Sequence, residues 1–204
     1  MDKRNDEAHP ARGAAEQPVI VVSGLPRSGT SLMMRMLAAG GVPLLTDGQR
    51  TADEDNPYGY FEYEPVKALQ RDSAWVPQAR GKAIKIISQL LPTLPPDLPY
   101  RVLFMRRELG EVLASQRQML ARRGKPADAS GDAELAALFA AHLQQVQQWL
   151  AQQAYIATLD VSYNELLHTP QPLIAQINTF LGGGLDTAQM AQMIDRQLYR
   201  QRGA

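Results

Sequence analysis

Gly24-Leu-Pro-Arg27-Ser28-Gly29-Thr30-Ser31 follows the apolar run Val19–Val22 and leads into Leu32, Met33, Met36 and Leu37 at helical spacing. Two glycines flanking a short turn between a buried strand and a helix let backbone N–H groups approach an anion, and the helix N-terminus behind them favours negative charge. A triphosphate loop of this shape carries Lys then Ser or Thr after its second glycine. Here Thr30 and Ser31 follow Gly29, and the loop's cation is Arg27. The spacing therefore predicts a 5′-phosphate site and argues against a γ-phosphate site. A second basic element, Arg106-Arg107, ends the run Arg101–Met105, and Ser115 lies eight residues beyond Arg107, two turns into the next helix. Ligands of open α/β sheets bind beyond the carboxyl ends of the strands. Two anion-binding groups on that edge imply a ligand with two phosphates.

The elements that must position these groups can be read from the chain. Short apolar runs at Val19–Ser23, Ala83–Ile87, Arg101–Met105 and Tyr155–Val161 read as strands, separated by helical stretches at Thr30–Ala39, Glu108–Leu120, Ala133–Gln153 and Pro172–Leu181. That alternation predicts an α/β fold: a single domain with a mostly parallel central sheet flanked by helices, in a P-loop-like topology. Gly40-Gly41 and Gly182-Gly183-Gly184 are helix stops. Residues 1–17 have no apolar period and read as a disordered tail, leaving 18–204 as the domain, and 121–132 reads as a mobile loop. With 204 residues, 45% of them hydrophobic, the chain supports one substantial core. Lys+Arg and Asp+Glu balance at 21 each, so no global field draws nucleic acid or an anionic membrane, and anion binding must be local. No apolar run approaches the roughly 20 residues of a transmembrane helix, and the polar start does not resemble a signal sequence. The expectation is a cytoplasmic protein that binds no nucleic acid. Having no cysteine, the chain offers no thiolate for catalysis or zinc. Oligomeric state is not legible.

On these motifs the chain resembles the sulfotransferases that use 3′-phosphoadenosine 5′-phosphosulfate (PAPS). Their first signature, Gly-x-Pro-(Arg/Lys)-Ser-Gly-Thr-(Thr/Ser) after a strand, matches Gly24 to Ser31, and their second, an Arg with a Ser eight residues later, matches Arg107 and Ser115. Val161-Ser-Tyr163-Asn-Glu-Leu-Leu is similar to a strand-end segment whose tyrosine lies near the adenine. The resemblance implies that Arg27, Ser28, Gly29, Thr30 and Ser31 hold the 5′-phosphosulfate, with Arg27 where a catalytic lysine often stands. It further implies that Arg107 and Ser115 hold the 3′-phosphate and that Tyr163 lies near the base. The segment Asn56–Glu64 is similar to one in bacterial members where an acidic residue serves as general base, which makes Glu62 the candidate, with Glu64 behind it. Lys85 occupies a strand where the family often has Lys followed by a catalytic His, and no His follows it here. The family's Gly-rich C-terminal nucleotide motif is also missing, with Leu198-Tyr-Arg200-Gln-Arg202 a loose substitute. The implied reaction is in-line transfer of a sulfuryl group from PAPS to a hydroxyl or amine, catalysed by Glu62, Arg27 and Lys85 with no metal. The acceptor could be a small molecule, glycan, lipid or peptide.

Simpler readings exist for each residue. Arg107 has Glu111 four residues on, a spacing that suits a solvated helix pair, with Arg106 as the surface alternative. Glu62 and Glu64 could open a helix holding Val66 and Leu69. Lys85 interrupts an apolar strand and must either face a ligand or pair with a carboxylate. Tyr58, Tyr60, Phe61 and Tyr63 suit pinning a loop to the core as well as lining a pocket. His142 and His168 read as surface or capping residues, and Met33, Met34 and Met36 as core. The competing functions are an ATP-dependent P-loop kinase-like enzyme and a non-catalytic nucleotide-binding protein.

Overall fold

The computed structural model describes residues 17–125 and 129–195. Four strands, β1 (Val19–Gly24), β2 (Ala83–Lys85), β3 (Tyr100–Arg106) and β4 (Ile156–Ser162), form one sheet in the order β2-β1-β3-β4. Every pairing is parallel. Among the described residues six α-helices accompany them: α1 (Thr30–Ala39), α2 (Leu109–Arg122), α3 (Asp132–Ala151), α4 (Tyr163–His168), α5 (Pro170–Leu181) and α6 (Thr187–Gln192).

Strand β1 and the middle of β3 read as apolar runs because both faces of the sheet are covered there, whereas the edge strand β4 leaves Ala157, Thr158 and Asp160 exposed. Successive side chains alternate between two cores. Val19 and Val21 of β1 pack with Val102 and Phe104 of β3 and with Val146 and Leu150 of α3. Ile20 and Val22 pack with Leu103, Met105, the α1 methionines Met33, Met34 and Met36, and Ile174 and Ile177 of α5. These methionines are fully buried, in keeping with a core role.

Strand β2 is shorter than its apolar run, since Ile86 and Ile87 leave the sheet and a 3₁₀ helix begins at Ser88. A second 3₁₀ helix, Glu64–Ala68, carries Val66 into the core; Glu64 opens it and Glu62 stands outside. Two helices had no counterpart in the sequence reading, α4 directly after β4 and α6 after the triple glycine. Of the expected loop at 121–132, Ala121 and Arg122 belong to α2 and Asp132 to α3, and residues 126–128 lie outside the described residues. The expected N-terminal tail (apart from Gln17) and Leu198–Arg202 lie outside the described residues.

Candidate active site

In this strand order β1 has β2 on one side and β3 on the other, so the connections leaving β1 and β3 diverge and open a crevice at their carboxyl ends. Gly24 is in register with Met105, which starts the two following loops level with each other. Gly24 must be glycine, since a Cβ there would lie 2.7 Å from the Met105 carbonyl oxygen and φ is +144°. The Ser28 hydroxyl donates to the Leu25 carbonyl at 2.7 Å and closes the turn. Arg27 takes a left-handed φ of 72°, an unusual conformation for a residue with a side chain. Helix α1 then starts with Gly29 as its N-cap, no side chain capping it and no acid in its first turn. An uncapped positive helix end without a carboxylate is an anion-binding arrangement.

The structure brings the groups around Arg27 and Arg107 into one hydrogen-bonded cluster. Arg27 Nε donates to Ser115 Oγ at 2.9 Å. Arg107 Nη1 donates to the Arg27 carbonyl at 3.0 Å, and its Nε to Glu111 Oε2 at 2.9 Å. The Arg107–Glu111 pair has the helical spacing noted in the sequence, but its side chains are 7% and 4% exposed, so it is a buried pair and not a solvated one. Asn164 Nδ2 donates to the other Glu111 oxygen at 2.9 Å. Arg106 turns away to Asp160 at 3.1 Å. The Tyr163 ring lies under the Arg107 guanidinium, 4.6 Å from its centroid, and against Gly29, where a Cβ would come 2.3 Å from Tyr163 Cδ2. Burial lowers the Arg27 pKa, with nearby Asp55 opposing the shift, and burial raises that of Tyr163.

On the β2 side, Lys85 and Glu62 meet. Lys85 Nζ is 3.7 Å from Glu62 Oε1 and donates to the Tyr60 carbonyl; Arg50 Nη1 is 2.8 Å from the same Glu62 oxygen. Burial pushes the Lys85 ammonium down to about 8, with Glu62 resisting the shift. Glu64 pairs instead with Lys67 at 2.7 Å on the surface. Tyr63 stacks edge-on against Trp75 at 5.3 Å and pins the loop, whereas the buried Tyr60 and the exposed Tyr58 also line the cavity described below. His142 Nε2 lies 2.8 Å from Ser88 Oγ, and neither residue lines the cavity described below.

A cavity of about 350 Å³ joins these groups, lined among others by Gly29, Thr30, Arg107, Ser115, Glu62 and Lys85. The segment that covers it includes the start of Asn56–Glu64, singled out in the sequence for its carboxylates, but its contacts with the loop and with α2 were not foreseen. The Asp55 carbonyl accepts from Arg27, Asn56 Nδ2 donates to Ser31 Oγ at 2.8 Å, and Arg122 Nη1 binds Asp55 Oδ1 at 2.6 Å. For Asp53–Asp55, ahead of that segment, only a turn-forming composition is present, and it points to a loop rather than a site.

The fold of this parallel α/β sheet, whose Gly-rich loop and arginine-bearing helix entry meet at its switch point, is shared with solved sulfotransferase structures. The chain is similar in structure to the sulfotransferase domain of the curacin biosynthetic pathway, with a TM-score of 0.55 and 17% identity over 88% of this chain and 78% of that one. It is also similar to sulfotransferase STF1 from Mycobacterium tuberculosis H37Rv, with a TM-score of 0.53 and 18% identity over 89% and 71% of the two chains. No family model matches the chain, and no curated protein matches it by sequence. Among the described residues, no helix is long and apolar enough to cross a membrane.

Proposed function

We propose that the protein is a PAPS-dependent sulfotransferase acting on a hydroxyl or amine of a small-molecule, glycan, lipid or peptide acceptor. One observation carries the reading. The uncapped, acid-free N-terminus of α1 opens into the same cavity as Arg107, Ser115 and the Glu62–Lys85 pair, so anion-binding and proton-accepting groups share one space.

The donor set suits PAPS, because its charges are carried on oxygens that N–H, hydroxyl and guanidinium donors satisfy. In this reading Ser28 to Ser31 and Arg27 hold the 5′ end, Arg107 and Ser115 hold the 3′-phosphate, and Tyr163 supports the loop beneath them. PAPS, when bound, supplies the sulfuryl group that passes to the acceptor. Arg27 and Lys85 stabilise the negative charge that gathers on the departing nucleotide, the kind of preorganised electrostatic help that lowers barriers most. Glu62 takes the acceptor's proton. Thr30 in the place of a triphosphate loop's lysine, and the end of β3 in Arg106-Arg107, with no carboxylate for a magnesium ion, weigh against the ATP-dependent alternative.

Thermal melts with adenosine 3′,5′-bisphosphate, ADP and ATP–Mg²⁺, followed by transfer assays with sulfur-labelled PAPS, test the proposal. The bisphosphate at a hundredfold excess over its dissociation constant contributes about 2.7 kcal/mol, a rise of roughly 5–11 °C for a chain of this size. A larger rise with ATP–Mg²⁺ than with the bisphosphate would overturn it in favour of the kinase. Bisphosphate binding with no sulfuryl transfer to any acceptor in a cell extract would leave a non-catalytic nucleotide-binding protein.

A further inference from the structure

Glu62 is approached by two cations, and both lie on the same oxygen. Arg50 Nη1 is 2.8 Å from Oε1 and Lys85 Nζ is 3.7 Å from it, while among the described residues nothing donates to Oε2. Arg50 is itself held in place. Its guanidinium lies 3.3 Å from the Tyr60 ring centroid, and the Tyr60 hydroxyl donates to Asp53 at 2.7 Å. Phe61 follows in a left-handed conformation, φ 52°, which turns the chain so that the Tyr60 carbonyl and the Glu62 carboxylate both meet Lys85.

Stability does not account for this arrangement. The Arg50 and Glu62 side chains are 39% and 29% exposed, and pairs this accessible to water contribute little to stability. The Lys85 side chain is 11% exposed and has more to gain from a carboxylate than Arg50 does. A direct ammonium–carboxylate contact spans about 2.7–2.9 Å, yet the more buried cation is the one left at 3.7 Å.

The geometry points to Arg50 as a positioning residue. By engaging Glu62 Oε1 it keeps the carboxylate from closing on Lys85 and leaves Oε2 to receive the acceptor's proton. The catalytic meaning of this clamp rests on the sulfotransferase reading, but its electrostatic effect on Lys85 does not.

The charged and titratable groups facing Lys85 are Glu62, Arg50 and Tyr60, all from the segment before the Glu64–Ala68 turn. Strand β1, paired alongside, presents Val22 in register and has no titratable side chain, while Arg27 and Arg35 line the same cavity. Replacing Arg50 removes a like charge and frees Glu62 to approach, and both effects favour the protonated amine.

Full-length protein carrying lysine labelled with ¹³C at the ε carbon, titrated by NMR, tests this directly. Arg50→Gln is expected to raise the Lys85 midpoint by about one pH unit, and Glu62→Gln to lower it. Arg50→Lys, which keeps the charge without the flat, stacked fork, should shift it by less than half as much. The comparison of Arg50→Gln with and without Glu62→Gln separates the clamp from simple charge repulsion. If freeing Glu62 matters, the shift must shrink when Glu62 is already replaced. An unchanged or lowered midpoint in a natively folded Arg50→Gln, or an equal shift in both backgrounds, overturns the inference. In the transfer assay, kcat of Arg50→Gln should fall about tenfold or more, part of the ~10²–10⁴-fold a general base contributes, with the donor KM little changed. Should the wild type transfer no sulfuryl group while the Lys85 midpoint moves as stated, the functional reading fails and the electrostatic clamp stands.

Discussion

Gly29 satisfies two requirements that no other residue meets. Its φ of +97° caps α1 in the left-handed region, and its bare α-carbon lets the Tyr163 ring close to a distance where a Cβ would sit 2.3 Å from Cδ2. Gly29→Ala is therefore expected to cost on the order of 1–3 kcal/mol from overpacking and backbone strain, read by urea denaturation, and to weaken the bisphosphate along with it. Undiminished stability would mean that the Tyr163 ring retreats freely and is not what fixes the loop. Arg107 presents a different problem, because its partner Glu111 is 4% exposed. Removing the arginine alone leaves a buried carboxylate without its counter-charge, held only by neutral donors such as Asn164, so Arg107→Ala should lose about 3–5 kcal/mol and Arg107→Ala/Glu111→Ala should recover most of it. Binding is best compared in that double variant. There, adenosine 3′,5′-bisphosphate should weaken far more than adenosine 5′-phosphate, and equal losses would remove Arg107 from the 3′-phosphate.

At the scale of elements, α1 turns the loop into a site through its open end. An aspartate at its first position should favour the free helix by about 0.3–1 kcal/mol while repelling an anion. Thr30→Asp is thus expected to keep or slightly raise the melting temperature of the free protein and to abolish the rise caused by the bisphosphate; a variant that still binds would place the phosphate elsewhere. This element was legible in the sequence: α1 spans Thr30–Ala39 as its apolar spacing and Gly40-Gly41 stop required. Strands β1 and β3 were legible as well, since coverage on both faces makes them nearly continuous apolar runs. Helix α4 was overlooked although it carries a readable start, Ser162 accepting from the Glu165 N–H at 3.1 Å, because at six residues it lacks a full apolar period. Helix α6 likewise begins with Asp186 accepting from the Gln189 N–H at 2.9 Å. Within the site, Arg107 and Glu111 share one local element and their pairing follows from spacing. The contact of Arg27 with Ser115, 88 residues away, depends on the β1–β3 register that sets their loops level, and that of Asn56 with Ser31, 25 away, on how the segment over the cavity folds back, neither of which a local pattern encodes.

Across the whole molecule the charges balance, so the cavity's cations are a local concentration held by the strand ends, and one of them bears on the stability of the entire fold. Lys85 titrates near 8 in the folded chain against an ordinary 10.5, mainly because it is buried. Between those values the unfolded chain binds more protons than the folded one, so this group makes stability increase as pH rises through the window. Below about 8 its full cost is present, on the order of 3 kcal/mol. Lys85→Met keeps the length of the side chain and removes the titration. Other lysines and the tyrosines contribute equally to both proteins, so the difference in unfolding free energy between wild type and variant isolates Lys85. Measured by urea denaturation from pH 7 to pH 10.5, that difference should move in favour of the wild type by about 2–3 kcal/mol, with most of the change above pH 8. Parallel curves over the whole range would show that the Lys85 amine reaches water freely, and with that its part in stabilising charge inside a desolvated cavity would be lost.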